Sequence, residues 1–390
     1  MIFNLLRLFL PLMLMFVAFF SGQGLAETKQ EIKIAYLAQE KQVPAALSNL
    51  EPFIADKGLQ GALLGVKDNN TTGQFTGQNY FLKQEVVPLG ADVKLAFSAL
   101  LKEGYQLIIV NLPAAQLVQI QQLNNQALLF DVATRTDAFR QSQCLQDVLH
   151  ILPSRAMRAD ALAQYMLKKR WNRWFLVVGA TPEDELYARA IRRSAKRFGM
   201  KIIAEKKWLH SYDARRTAQS DIPVFTQVDD YDVLVVADEQ GLFGEYISYR
   251  TWLPRPVIGT QGLVATAWHR THEQWGAVQI QNRFKALSGR QMEEEDYAAY
   301  LAARAIGETV TRTQSVDPTQ VKAYLFSERF KLQGYKGKPL SFRAWNGQLR
   351  QPVLLAAPTS LVVAPPLEGF LHPKNELDTL GYDQPETHCQ

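Results

Sequence analysis

Short apolar runs alternate along the chain with segments of helical periodicity. Residues 107–110 and 174–178 are apolar throughout, whereas Val93, Phe97 and Leu100 recur at the spacing of one helix face. Strands that are apolar on both faces are typical of a parallel sheet covered by helices on both sides. The pattern predicts strands at 31–37, 79–87, 106–110, 127–130, 174–178, 201–206, 231–237 and 256–259. It predicts helices at 58–67, 91–103, 114–123, 154–170, 184–198 and 293–313.

The alternation of strands and helices occurs twice in succession, first up to residue 130 and again from residue 154. Residues 27–390 also exceed the length of one ordinary domain. The sequence therefore predicts an α/β fold built from two units, each a parallel sheet with helices on both faces.

The first 26 residues differ from the rest of the chain. Arg7 is their one charge, residues 8–20 are apolar apart from Pro11, and small residues precede a cut after Ala26. This is the pattern of a cleaved signal peptide, so we expect export to the periplasm. An uncleaved anchor is the alternative, although about 13 apolar residues fall short of the roughly 20 that span a membrane. No later stretch is long and apolar enough to predict a membrane-embedded protein.

The chain has two cysteines, Cys144 and Cys389. In an oxidising compartment two cysteines usually pair. The segment from residue 365 has little core-forming pattern, and a covalent bond would keep it docked. We expect a disulfide, with two free thiols as the alternative.

The net charge and the absence of known motifs argue against nucleic-acid binding and against enzymatic activity. The formal net charge is +5 and is spread along the chain, so nucleic acid is not an expected partner. The chain has no Gly-x-Ser-x-Gly elbow, no phosphate loop and no Gly-x-Gly-x-x-Gly after a strand. We therefore expect neither enzymatic activity nor a cofactor.

Acidic and histidine clusters do not predict a metal site. Consecutive carboxylates at 293–296 point in different directions on a helix, and acids are typical of a helix first turn. His269 and His272 lie three residues apart but have no partner with metal-ligand spacing. We expect no bound metal.

Loose motifs follow one another in order between residues 31 and 356. They are 152–163 (LPSRAMRADALA), 186–190 (LYARA), 258–262 (IGTQG), 339–343 (PLSFR) and 346–348 (NGQ). Their order and spacing resemble the type I periplasmic solute-binding proteins, the leucine/isoleucine/valine-binding group. The resemblance implies a two-lobed protein that binds a small solute in the cleft between its lobes and delivers it to the membrane permease of an ABC transporter. It implies lobe 1 at 27–136 plus 261–335, lobe 2 at 137–260 plus 336–364, and a tail at 365–390.

Two further segments, 68–73 (DNNTTG) and 377–383 (LDTLGYD), resemble one branch of that family. This branch comprises substrate-binding proteins associated with PQQ-dependent alcohol dehydrogenase systems. The resemblance implies a link to such a system. Two alternatives stay open: a protein associated with lanthanide or other metal uptake, and a periplasmic accessory or sensor protein that contacts a partner protein.

Candidate ligand residues follow the predicted strands, because ligands of such sheets bind outside the carboxyl ends of the strands. The family carries small hydroxyl residues in the loop of Ala114, and it has no charge in the loop of Arg135. A positive charge there could hold an anionic ligand, or it could pair with a nearby carboxylate of Asp131, Asp137 or Asp184. The resemblance adds Tyr187, which matches a ligand-facing tyrosine of the family and whose alternative is packing in the core. It also adds Asp238 and Glu239, which lie where amino-acid binders of the family place an acid for the ligand ammonium group and whose alternative is a solvated loop. The predicted ligand-binding residues are Asn111, Ala114, Ala133, Arg135, Tyr187, Asp238 and Glu239.

Overall fold

A computed structural model describes residues 29–43, 53–208 and 218–389. The predicted signal peptide lies outside these residues. In chain order the strands are β1 (Gln30–Gln39), β2 (Gln78–Val87), β3 (Leu107–Asn111), β4 (Leu128–Asp131), β5 (Val148–His150), β6 (Arg173–Val178), β7 (Lys201–Lys207), β8 (Val233–Ala237), β9 (Val257–Gly259), β10 (Leu263–Thr266), β11 (Leu332–Gln333), β12 (Pro339–Phe342), β13 (Leu349–Arg350), β14 (Leu354–Ala357) and β15 (Ser360–Val363).

The helices surround these strands. They are α1 (Leu59–Thr76), α2 (Val93–Lys102), α3 (Ala114–Leu123), α4 (Ala138–Gln141), α5 (Arg155–Lys169), α6 (Pro182–Arg197), α7 (Ala218–Phe225), α8 (Gly244–Ile247), α9 (Ala277–Ser288), α10 (Glu294–Thr313) and α11 (Pro318–Leu325). Across the described ranges, none of them has the length and apolar character needed to cross a bilayer.

The first sheet is parallel, with strand order β2-β1-β3-β4-β5. β3 and β4 are buried at every position, as their continuous apolar runs predict. Helices α1 and α10 cover one face and approach each other closely. A side chain at Gly61 would place its Cβ 1.8 Å from the carbonyl oxygen of Asp296. Only glycine therefore permits this helix crossing.

The second sheet has strand order β15-β14-β10-β9-β8-β6-β7. Its strands from β6 to β10 are parallel, and β14 and β15 add to one edge in antiparallel pairing. A small antiparallel sheet of β11, β12 and β13 accompanies the two main sheets. Both units are thus parallel sheets covered by helices.

The chain passes between the two hydrophobic cores three times. Leu152, Ala267 and Leu349 pack in the core of the first sheet, whereas Met157, Ala265 and Val353 pack in the core of the second. The passages therefore lie at 152–157, 265–267 and 349–353. The lobe boundaries predicted after residues 136, 260 and 335 fall before each passage, and the exact division of the lobes stays a prediction.

The tail after β15 is docked on the second unit and bonded to the first. The backbone N–H of Gly381 donates to the Asp160 carboxylate of α5 at 2.9 Å, and Arg193 of α6 donates to the Gly381 carbonyl oxygen at 2.9 Å. Beyond them, Cys389 is bonded to Cys144, with 5.4 Å between their Cα atoms. The predicted cysteine pair is therefore present, and it ties the tail to the loop before β5.

Replacing both Cys144 and Cys389 with Ser should lower the free energy of unfolding by about 2–5 kcal/mol. The bond closes a loop with a sequence separation of 245 residues, so its loss enlarges the unfolded ensemble. Chemical denaturation of the variant and of the oxidised wild type measures the difference. Reduced wild-type protein is the control and should match the variant. Equal midpoints for oxidised and reduced protein would show that the bond contributes no stability.

Candidate functional site

A cavity of about 500 Å³ lies at the carboxyl ends of β1, β3 and β4. Four predicted ligand residues line it: Asn111, Ala114, Ala133 and Arg135. Arg155 at the start of α5 and Glu183 at the start of α6 line the opposite side. The cavity is therefore an interlobe cleft, where a bound molecule would touch both units.

A second cavity of about 460 Å³ adjoins the first. Arg135 and Glu295 line both cavities, whereas Glu239, Glu293 and Glu294 line only the second. The cleft is thus one space divided in two near Arg135. Its second half has more acidic side chains than its first half.

Asp131 shapes the loop that carries Ala133 and Arg135. Its carboxylate accepts hydrogen bonds from the backbone N–H of Ala133 at 3.1 Å and of Thr134 at 2.9 Å. His150 of β5 donates to the same carboxylate from Nδ1 at 2.8 Å. Burial raises the pKa of Asp131, but His150 and Arg140 outweigh burial and hold that pKa below its ordinary value. An ionised, fully buried carboxylate therefore fixes the loop.

Arg135 pairs with two glutamates at the start of α10, and not with the aspartates that the sequence offered as alternatives. It donates to Glu294 and lies 3.4 Å from Glu295. Arg158 of α5 donates to the other oxygen of Glu294 at 2.6 Å. Burial raises the pKa of Glu294, but the two guanidinium groups outweigh it and hold that pKa well below its ordinary value.

Glu239 lies in the cleft, as predicted, but it already has a cationic partner. Arg155 donates to its carboxylate from Nε at 2.9 Å. The backbone N–H of Glu239 donates to Asp184 Oδ1 at 2.7 Å, which fixes the loop after β8. A ligand ammonium would have to compete with Arg155 for this carboxylate.

Tyr187 and Asp238 line neither cavity. Tyr187 packs in the core of the second sheet, which corresponds to the core-packing alternative. The Asp238 carboxylate accepts from the backbone N–H groups of Leu242, Phe243 and Gly244 at 2.9, 2.9 and 2.6 Å. Asp238 is therefore a buried loop-forming residue, and not part of a solvated loop.

The α3 N-terminus opens into the first cavity. Pro113 occupies the N-cap and makes no side-chain capping bond. The first N–H groups of a helix have no acceptor within the helix and attract anions. Ala114 has no side-chain hydroxyl group that could help to bind an anion at this helix end. Its small methyl group leaves space there for a ligand.

The acids at the start of α10 do not form a metal centre. Glu293 and Asp296 form a capping box at the helix start, and Asp296 also accepts from Arg290 at 2.6 Å. Over the ranges that the structure describes, no group of three or more His, Cys, Asp or Glu side chains is arranged to hold a metal ion.

Sequence reasoning missed Arg155 and Glu294 as cleft residues, and Arg158 as a partner of Glu294. Arg155 and Arg158 follow the helix-capping Ser154, which accepts from the N–H of Met157 at 3.3 Å. Their spacing of three residues places both on one side of α5. This spacing was a usable signal, but nothing local identifies their carboxylate partners.

Acidification from pH 7 to pH 5 should destabilise the fold through His150. Burial and Arg140 together lower its pKa to about 4, against the opposing effect of Asp131. The unfolded imidazole has a pKa near 6.5, so the unfolded chain binds more protons between pH 6.5 and pH 4. The stability contributed by this group is complete above pH 6.5 and is lost as the pH falls through that range. The loss at pH 5 is about 2 kcal/mol.

The variant His150→Asn tests this, because its amide can still donate to Asp131 without titrating. Urea unfolding of both proteins at pH 7 and pH 5 measures the difference. The variant should lose about 2 kcal/mol less stability than the wild type on acidification. An identical pH dependence of both proteins would contradict the assignment to His150.

No family model matches the chain, and no curated protein sequence matches it. Solved structures match it at low identity. A branched-chain amino acid ABC transporter periplasmic ligand-binding protein from Burkholderia xenovorans LB400 gives a TM-score of 0.68 at 17% identity, covering 85% of this chain and 95% of that one. An ABC transporter substrate-binding protein from Desulfitobacterium hafniense, in complex with leucine, gives 0.65 at 16% identity, covering 85% and 99%.

A solute-binding protein of an ABC transporter from Rhodopseudomonas palustris BisB5, in complex with 3,4-dihydroxybenzoic acid, gives a TM-score of 0.61 at 12% identity, covering 85% of this chain and 95% of that one. Identities this low establish similarity of fold alone. The chain therefore has the two-lobed α/β fold of type I periplasmic binding proteins, which confirms the predicted fold class.

Proposed function

We propose that the protein is a periplasmic substrate-binding protein that captures a small solute in its interlobe cleft and presents it to the membrane permease of an ABC transporter. One observation carries the proposal. The cavity of about 500 Å³ lies at the carboxyl ends of parallel strands, where ligands of such sheets bind. Residues from both units line it, in a fold shared with ABC transporter substrate-binding proteins.

The proposed mechanism is closure of the cleft without covalent chemistry. The proposed contacts from the first unit are Asn111, Ala114, Ala133 and Arg135. Arg155 lines the same cavity from the second unit, and its partner Glu239 lines the adjoining cavity together with Arg135. A solute that touches both sides interacts better with the closed arrangement than with the open one, so its binding favours closure. Asp238 fixes the loop that follows β8 by accepting from the N–H groups of residues 242–244.

The chemistry of the first cavity favours a solute with an anionic group. The free N–H groups of α3 attract negative charge, and Arg135, whose charge is shared with Glu294 and Glu295, can still offer its Nε–H, which has no partner among the described residues. Leucine and 3,4-dihydroxybenzoic acid, which are bound by two proteins of similar fold, each carry a carboxylate. The Arg155–Glu239 pair disfavours recognition of an α-ammonium group, which distinguishes this cleft from a simple amino-acid site.

The proposed biological context is a PQQ-dependent alcohol dehydrogenase system. Support for this part comes from the resemblance of residues 68–73 and 377–383 to the branch of the family described above. The link predicts solutes related to the substrates and products of such enzymes. A ligand panel should therefore contain small alcohols, aldehydes, aromatic acids and PQQ besides branched-chain amino acids, calcium and lanthanum.

Thermal unfolding of the purified mature chain against this panel tests the proposal. We expect one organic solute to raise the melting temperature, by the equivalent of about 2.7 kcal/mol at a hundredfold excess over Kd. The variant Ala114→Leu should lose this response, because a larger side chain fills the cavity beside α3. The matched control is Ala115→Leu, at an exposed neighbour outside the cavity lining, and it should keep the response.

The remaining outcomes separate the alternatives. A response to lanthanum alone would favour the metal-uptake protein. No response to any compound, after a check that no ligand copurified, would contradict solute binding and favour an accessory protein. An equal response in wild type and Ala114→Leu would place the ligand outside this cavity.

A further inference from the structure

The orientation of the Asn111 side-chain amide is set by its surroundings. Its Nδ2 group donates to Tyr36 Oη and to the carbonyl oxygen of Lys57, each at 2.8 Å. A backbone carbonyl can only accept, so the amide nitrogen must face Lys57. Tyr36 in turn donates its hydroxyl proton to the same carbonyl at 3.1 Å. Nδ2 is therefore fully used, and Oδ1 is turned away from this network.

The network is rigid because the loop before α1 is pinned. The backbone N–H of Gly58 donates to Asp296 Oδ1 at 2.8 Å, and Arg290 holds the other oxygen of Asp296 at 2.6 Å. A side chain at Gly58 would place its Cβ 2.7 Å from Tyr36 Oη and 2.8 Å from Asn111 Nδ2. The carbonyl of Lys57, the hydroxyl of Tyr36 and the amide of Asn111 are thus packed in one arrangement.

Asn111 Oδ1 has no hydrogen-bond partner among the residues that the structure describes, although the residue is only 3% exposed. A buried acceptor without a donor costs about 1–3 kcal/mol. Arg135 Nε is likewise buried and unpartnered in that part of the chain. Both residues line the first cavity. Each of these two cavity-lining residues therefore has one buried polar atom without a partner among the described residues, an acceptor on Asn111 and a donor on Arg135.

We propose that Asn111 Oδ1 accepts a hydrogen bond from a hydroxyl group of the solute, while Arg135 Nε and the α3 N-terminus hold its carboxylate. This inference rests on the proposed function and specifies its substrate class as small hydroxycarboxylic acids. A neutral amide oxygen suits a neutral hydroxyl donor, whereas an ammonium group binds more strongly to a carboxylate. Glu239, the carboxylate predicted for that role, is paired with Arg155.

Matched pairs of acids that differ by one hydroxyl group test the inference: 4-hydroxybenzoate against benzoate, and lactate against propionate. Isothermal titration calorimetry on the wild-type mature chain measures each affinity. In at least one pair, the hydroxylated acid should bind ten-fold tighter or better, because the other acid leaves a buried acceptor unpaired.

Variants assign the effect to Asn111. Asn111→Leu should reduce the preference for the hydroxylated acid to about one-fold, whereas Asn125→Leu, at an exposed asparagine outside the cavities, should retain it. Tyr36→Phe removes one anchor of the amide and should reduce the preference in part. The wild-type comparison needs no variant, so the test stands even if Asn111→Leu does not fold.

Each contrary result has its own meaning. Equal affinities within every pair that binds would overturn the role of Asn111 and leave solute binding intact. Binding of another panel compound, with no binding of any hydroxycarboxylate, would overturn the substrate class alone. A preference that persists in folded Asn111→Leu would assign hydroxyl recognition to a different residue. Failure of every compound in both panels would overturn the proposed function together with this inference.

Discussion

The carboxylate of Glu294 is the constraint on which the meeting of the two lobes depends. It accepts from Arg135 and Arg158, which come from the loop after β4 and from α5. The same group accepts from the hydroxyl of Thr266 at 2.9 Å and the N–H of Ala267 at 3.1 Å, where the chain passes between the cores. Removal of this charge would leave two largely buried guanidinium groups unpaired, which is strongly destabilising. One carboxylate thus sets the relative positions of three segments that border the cleft.

The polar groups of the cleft differ in how fully they are used. Glu294, Glu239 and Asp131 are occupied by partners from the protein itself. These carboxylates therefore stabilise the loops of the protein itself. Within the described part of the chain, the cavity-lining residues Asn111 and Arg135 each have one buried polar atom without a hydrogen-bond partner. In such a site, the buried charged groups hold the loops in position, and a small number of unpaired polar atoms are available to bind the ligand.

The sequence predicted those parts of the fold that depend on local pattern. The strand at 106–110 and the helix at 114–123 correspond to β3 and α3, because a continuous apolar run and a helical repeat are both readable over a few residues. The pairs of β11, β12 and β13 were missed, since strands of two to four residues are too short to show a period. Helix α9 was also missed, because the polar Gln281 occupies one of the four positions of its buried face.

The local sequence pattern could not predict which residues form ion pairs across the cleft. Arg135 and Glu294 are 159 residues apart, so the sequence offered only nearby aspartates as partners. The sequence suggested a ligand role for Asp238, but its acceptor capacity is taken by three N–H groups of the following loop. Such competition between loop formation and ligand binding is decided by backbone geometry, which the amino-acid pattern does not encode locally.

The bond between Cys144 and Cys389 also bears on how the protein resists proteases. The covalent ring runs from residue 144 to residue 389 and contains every strand of the second sheet. A single cut at any peptide bond inside this ring leaves the two pieces joined. Two cuts, or one cut followed by reduction, are needed before a fragment can separate. In a compartment that contains proteases, a chain nicked at an exposed loop would therefore keep its parts together and could hold its cleft in shape.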